Sequence, residues 1–126
     1  MNLALSAVRV FVDDLAAARP FYERVLALPL RHDRTEMGWC VFDAGGPDLV
    51  LESVPAQAPA PADERVLVGR FTGLSFRVAD IGADYRRLVN LGVVFSGAPE
   101  QQAWGGWLAT CLDPAGNQLQ LVQLPG

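Results

Sequence analysis

The chain repeats itself. At an offset of 66, Val8, Val10, Val12, Asp14 and Leu15 fall on Leu74, Phe76, Val78, Asp80 and Ile81, so an apolar alternation and the acid that follows it recur together. At an offset of 70, Asp43, Ala44, Gly45 and Gly46 fall on Asp113, Pro114, Ala115 and Gly116, and Leu49 and Leu51 fall on Leu119 and Leu121. Two registers four residues apart are what a duplicated unit leaves when one copy has a longer loop. The stretch from Pro55 to Glu64, where proline and alanine alternate and no hydrophobic period survives, reads as the joint. The expected organisation is one domain over 1–126, with module one at 1–54, a linker at 55–68 and module two at 69–126.

Each half has the same internal order. Residues 3–12 alternate with Val8, Val10 and Val12 on one side, the period of a half-buried strand. Asp14 then stands as an N-cap, and Phe21, Tyr22, Val25 and Leu26 recur at helical spacing through Leu28. Pro20 removes an amide donor inside that helix, so an irregular first turn is expected. Residues 28–34, 38–43 and 49–54 follow as three antiparallel strands, the last two joined by a Gly45-Gly46-Pro47-Asp48 turn. The second half runs Thr72 to Ala79, a helix from Ile81 to Leu91 ended by Gly92, then strands at 93–97, 107–112 and 118–124. The unit is β-α-β-β-β, twice.

Composition narrows the chemistry. All ten cations are arginine, with no lysine, which removes Schiff-base and pyridoxal-phosphate mechanisms and the lysine of a phosphate-binding loop. One histidine, His32, and two cysteines, Cys40 and Cys111, exclude a zinc finger and a helical two-histidine metalloprotease site. Two cysteines so far apart make no disulfide framework, and the start of the chain lacks a signal peptide's basic and apolar runs. A cytoplasmic protein is expected. A net charge of −4 argues against nucleic acid and anionic membrane as partners.

Three stretches then carry a resemblance. They are Val12-Asp13-Asp14-Leu15 with Phe21 to Leu26, Phe76 to Ile81 with Leu88 and Gly92-Val93, and Trp104-Gly105-Gly106 with Asp113 to Leu119. Together they resemble the vicinal oxygen chelate superfamily, which includes glyoxalase I, extradiol dioxygenases and bleomycin-resistance proteins. The resemblance implies an α+β fold in which two β-α-β-β-β modules form a curled mixed-sheet cup with the helices outside and a ligand cavity inside. It also implies a homodimer.

If Val8, Val10 and Val12 pack on the helix, then Ala7, Arg9 and Phe11 face the cavity, as do Gly73, Ser75 and Arg77 in the second half. The same alternation turns Val50, Glu52 and Gln120 inward and puts Trp39 and Trp107 toward the helices. Family patterning adds Cys40 and Thr110 to the inner face, and Trp104, in a loop before Gly105-Gly106, is expected to cover the cavity mouth. Metal-using members hold a divalent ion at positions that the resemblance places at Ala7, Gly73, Gln120 and either Val50 or Glu52. Ala7 and Gly73 have no donor atom, so no metal cofactor is expected. Arg9 and Arg77 hold either a ligand anion or internal acids such as Glu52. His32, in a polar strand end, is expected to be exposed and outside the site, and the cysteines to be inert core residues.

Two function readings follow. One is a metal-independent protein that binds and sequesters a small organic molecule, an antibiotic or metabolite, with Arg9, Phe11, Cys40, Glu52, Ser75, Arg77, Trp104, Thr110 and Gln120 lining the cavity. The other is a glyoxalase-like lyase or isomerase, with Glu52 as the catalytic base and Arg9 or Arg77 holding an oxyanion.

Overall fold

The first repeat begins with β1 (Ala7–Val12), whose burial rises and falls with period two: Val10 and Val12 are buried while Arg9 is exposed. Asp14 ends it and caps α1 (Leu15–Pro20), its carboxylate accepting from the Ala17 amide at 3.2 Å. The computed structural model describes residues 2–54 and 67–126, so most of the expected linker lies outside the described residues. The chain divides into two compact units, Met1–Gly69 and Arg70–Gly126.

In the first unit, α1 is followed by a π-helical turn over Phe21–Val25, in which the Leu26 amide reaches back five residues to the Phe21 carbonyl at 2.9 Å. The irregularity therefore falls after Pro20 and not in the first turn, which Asp14 holds regular. Proline has no amide to offer the Ala16 carbonyl, and the wider turn forms just beyond this break. Three strands follow, β2 (Leu30–Arg34), β3 (Trp39–Asp43) and β4 (Asp48–Ser53). They pair antiparallel in sequence order, and β4 closes on β1 in parallel, giving the order β1-β4-β3-β2. Leu49 and Leu51 on β4 and Phe42 on β3 are fully buried with Tyr22, whose ring packs 6.3 Å from that of Phe42. Each such side chain contributes about 1.5–3 kcal/mol of burial. The first strand starts at Ala7 rather than Leu3, because its partner β4 starts at Asp48, opposite Ala7.

The second unit repeats the plan. Strand β5 (Phe71–Arg77) leads to Asp80, which caps α2 (Ile81–Asn90) by accepting from the Ala83 amide at 3.0 Å. Asp14 and Asp80 are thus the same cap in two copies. Gly92, at φ 90°, ends α2. Residues 94–101 supply two short strands, β6 (Val94–Phe95) and β7 (Glu100–Gln101), where one strand at 93–97 is expected from sequence. Both pair with β8 (Trp107–Leu112), which pairs with β9 (Gln118–Gln123), giving β5-β9-β8-β6 with β7 also on β8. Ile81 and Leu88 of α2 are buried, and the helix packs on β8 and β9 over Ala109, Cys111, Leu119 and Leu121. The fold is the expected α+β one, two mixed sheets each with one face turned to its helix, and the sheets are not closed.

Candidate binding faces

The register of each sheet sorts side chains onto the helix face or the opposite, helix-free face, because residues directly opposite on paired strands point the same way. In the first unit, Arg9, Val50, Val41 and His32 form one row of the helix-free face, and Phe11, Glu52, Trp39 and Arg34 form the next. In the second unit the corresponding rows are Ser75, Gln120 and Thr110, and then Arg77, Val122, Leu108 and Glu100.

Several expectations meet the structure here. Arg9, Phe11, Glu52, Ser75, Arg77, Thr110 and Gln120 all lie on helix-free faces, as the alternation requires. Cys40 does not. It pairs with Leu51, is fully buried on the helix face, and burial pushes its thiol up to about 11. Cys111, also buried, is likewise pushed up to about 11, so neither thiol is a nucleophile at neutral pH. Trp39 occupies the side that Cys40 was expected to take, since it pairs with Glu52, whereas Trp107 does face the helix side, pairing with Gln123. The Gln123 carboxamide on that side accepts from the Ile81 amide at 2.8 Å.

His32 moves the other way. A bulge between Leu30 and His32 shifts the pairing by one residue, so His32 lies opposite Val41 and not Cys40, and joins the helix-free face. Trp104 does not line the pocket described below. The residue is 53% exposed, and its ring lies on Gly106, where an added Cβ would overlap the indole. Arg9 and Arg77 are exposed, so water solvates their guanidinium heads. Neither forms an ion pair with an acid among the described residues.

The second unit holds a pocket of about 270 Å³, lined among others by Ser96, Glu100, Gln102, Leu108, Thr110 and Gln120. Gln120 sits in a polar ladder across the sheet. It accepts from the Ser75 hydroxyl at 3.5 Å and donates to the Thr110 hydroxyl at 3.3 Å. Both contacts are long, so the carboxamide is placed but lightly held. Gln102 is more firmly engaged, its amide donating to the Gly106 carbonyl at 2.7 Å and its carboxamide to the Glu100 carbonyl at 3.0 Å. Leu108 gives the pocket an apolar wall and Glu100 the one carboxylate of the six. Sequence reasoning missed Ser96, Glu100 and Gln102, because they lie on or beside strands of two residues, which are too short to show a period.

The chain belongs to the Glyoxalase/Bleomycin resistance protein/Dioxygenase superfamily, whose family model matches residues 4–121. It is 30% identical over 118 residues to a bleomycin resistance protein of Klebsiella pneumoniae, covering 87% of this chain and 84% of that one. A solved member of the superfamily from Sphaerobacter thermophilus superposes with a TM-score of 0.82 at 26% identity, over 98% of both chains. TnmS3, an antibiotic binding protein from Streptomyces sp. CB03234, superposes with a TM-score of 0.73 at 29% identity, over 99% of this chain and 98% of that one.

The metal positions implied by the family can be tested against this donor set. Val50 lies opposite Arg9 and Gln120 opposite Ser75, and Arg9 and Ser75 are separated by the repeat offset of 66, so Val50 is the counterpart of Gln120. The four positions are then Ala7, Val50, Gly73 and Gln120, which offer a single neutral amide. Among the described residues no three His, Cys, Asp or Glu side chains group so as to hold a metal ion. A site needing about three protein ligands does not fit these residues.

Proposed function

We propose that this protein binds and sequesters a small organic molecule, an antibiotic or metabolite, without a metal cofactor. The observation that carries this reading is the pocket on β8 and β9, where the position that the resemblance assigns to a metal ligand holds Gln120, a neutral amide suited to hydrogen bonding a neutral ligand. Thr110 adds a hydroxyl that already accepts from Gln120 and keeps its own proton to donate. Leu108 contributes apolar contact, and Glu100 a negative end. Such a site, polar on most sides with one apolar wall, suits a small molecule that is held mainly by hydrogen bonds. The likeness to a bleomycin resistance protein and to an antibiotic binding protein supports binding over turnover.

The protein acts in this reading as a homodimer in the cytoplasm, where its two free buried cysteines stay reduced. No helix among the described residues is long and apolar enough to cross a membrane. A thermal-shift screen of antibiotics and aromatic metabolites tests the proposal, since a ligand held at 100 times its Kd stabilises by about 2.7 kcal/mol. At least one compound is expected to raise the melting temperature, to be recovered unchanged, and to lose its effect with Gln120→Ala. Stoichiometric uptake of zinc, nickel, manganese or iron would overturn the metal-independent reading. Conversion of the bound compound, or of a hemithioacetal to a thioester, would overturn sequestration in favour of a lyase. Light scattering at the 13.6 kDa of one chain would remove the dimer.

A further inference from the structure

The two copies of the repeat pair their first and last strands alike except at one place. In the first unit β1 runs in register along β4, with Ala7 opposite Asp48 and Arg9 opposite Val50. In the second, Ser75 lies opposite Gln120 just as Arg9 does opposite Val50, but Gln118 lies opposite Phe71 and not Gly73. Had β5 followed β1, Gly73 would stand there, since it is 66 residues from Ala7 and Gln118 is 70 from Asp48. The stretch of β5 from Phe71 to Ser75 is matched by the shorter one of β9 from Gln118 to Gln120, so Thr72, Gly73 and Leu74 bulge from the ladder.

The bulge is held from within. The Thr72 hydroxyl donates to the Gln118 carbonyl at 2.8 Å and accepts from the Leu74 amide at 3.1 Å, so a side chain serves backbone groups where the ladder is interrupted. Gly73 takes φ 76°, which a residue with a Cβ adopts only with strain. Beyond its chain neighbours, a Cβ there would meet only the Phe71 ring within 4 Å among the described residues, at 3.9 Å. Gly73 and Ala7 are equivalent family metal positions, yet Ala7 sits in a regular strand. We infer that β5 excludes a metal ion from this position through its backbone. The bulge carries residue 73 out of the ladder, so a donor side chain there does not take the diagonal place beside Gln120 that Ala7 has beside Val50. In the first unit only the side chains are missing. The inference rests on the metal-independent reading and gives it a cause that substituting donors does not undo.

Pairs of histidines test this, with nickel(II) as the probe and its binding isotherm and effect on melting temperature as the readouts. Ala7→His with Val50→His puts two imidazoles on diagonal neighbours of adjacent strands, about 7–8 Å apart and within reach of one ion. That variant is expected to bind nickel about tenfold or more tightly than the unaltered protein, and to melt higher in its presence. Gly73→His with Gln120→His is expected to gain neither. His32 is common to all three proteins, so its own contribution cancels. Where Gly73→His prevents folding, Gly73→Asp with Gln120→His is compared with Ala7→Asp and Val50→His, because aspartate tolerates a left-handed backbone and still binds metal. Nickel binding by the second-unit pair as tight as by the first-unit pair would overturn the inference. So would no gain in either pair, since register would then not be what separates them. Tight stoichiometric uptake by the unaltered protein would overturn instead the metal-independent reading.

Discussion

Gly106 shows how one missing methyl group arranges a surface. The Trp104 indole rests on the glycine, and a Cβ there would also stand 2.8 Å from the Gln123 carbonyl, which is backbone and cannot move aside. Gly106→Ala is therefore expected to push the indole off and to cost about 1–3 kcal/mol, read by chemical denaturation, with a red shift in tryptophan emission as the ring is released. Asp33 illustrates a charge effect at the same scale. Its carboxylate accepts from the Thr35 hydroxyl, from the Thr35 amide at 3.0 Å and from Arg19 at 2.9 Å. These hold its pKa down to about 2, the Thr35 hydroxyl contributing most. Because an unfolded aspartate titrates near 3.9, the stabilisation is complete above about pH 4 and disappears as pH falls through about 2. A carboxyl NMR titration is expected to find Asp33 near that value, and Thr35→Val is expected to move it back toward the ordinary range.

Among the elements, the duplicated helix starts are the clearest case of local sequence acting alone. Asp14 and Asp80 each follow a strand, take the extended backbone of an N-cap and accept from the amide three residues on. Asp14→Ala and Asp80→Ala are each expected to destabilise the protein by about 0.5–2 kcal/mol, and by similar amounts, since the two caps share one geometry. The double variant is expected to lose the sum, because no described hydrogen bond links the caps. Calorimetry of the three variants checks this. The strands are less local. Alternation in β1, β4, β8 and β9 predicted the faces of their side chains, whereas β6 and β7 carried no usable period and β2 carried a misleading one. In β2 the bulge after Leu30 inverts the face of every residue that follows, so counting alternate positions from Leu30 places His32 on the wrong side.

In the whole molecule, stability is expected to follow strand order. The β3–β4 and β8–β9 pairs are interior to their sheets, while β2, β6 and β7 have one paired edge each. Hydrogen exchange is expected to be slowest in Leu49, Leu51, Cys111, Leu119 and Leu121, and fastest in β2, β6 and β7; uniform protection across the sheets would contradict this. The repeat, the helix caps and most strand faces could be read from the residues, because each is an outcome of neighbours along the chain. So could the poverty of metal donors, since Ala7 and Gly73 carry none in any fold. Pairing between distant strands settled the rest. Whether Cys40 or Trp39 faces away from the helix depends on what lies opposite it, and β4 supplies Leu51 for one and Glu52 for the other. The same register makes Val50 the counterpart of Gln120 and sets Glu52 between two aromatic rings. These juxtapositions join residues on separate strands, and a one-residue slip would reverse them without changing a letter of the sequence.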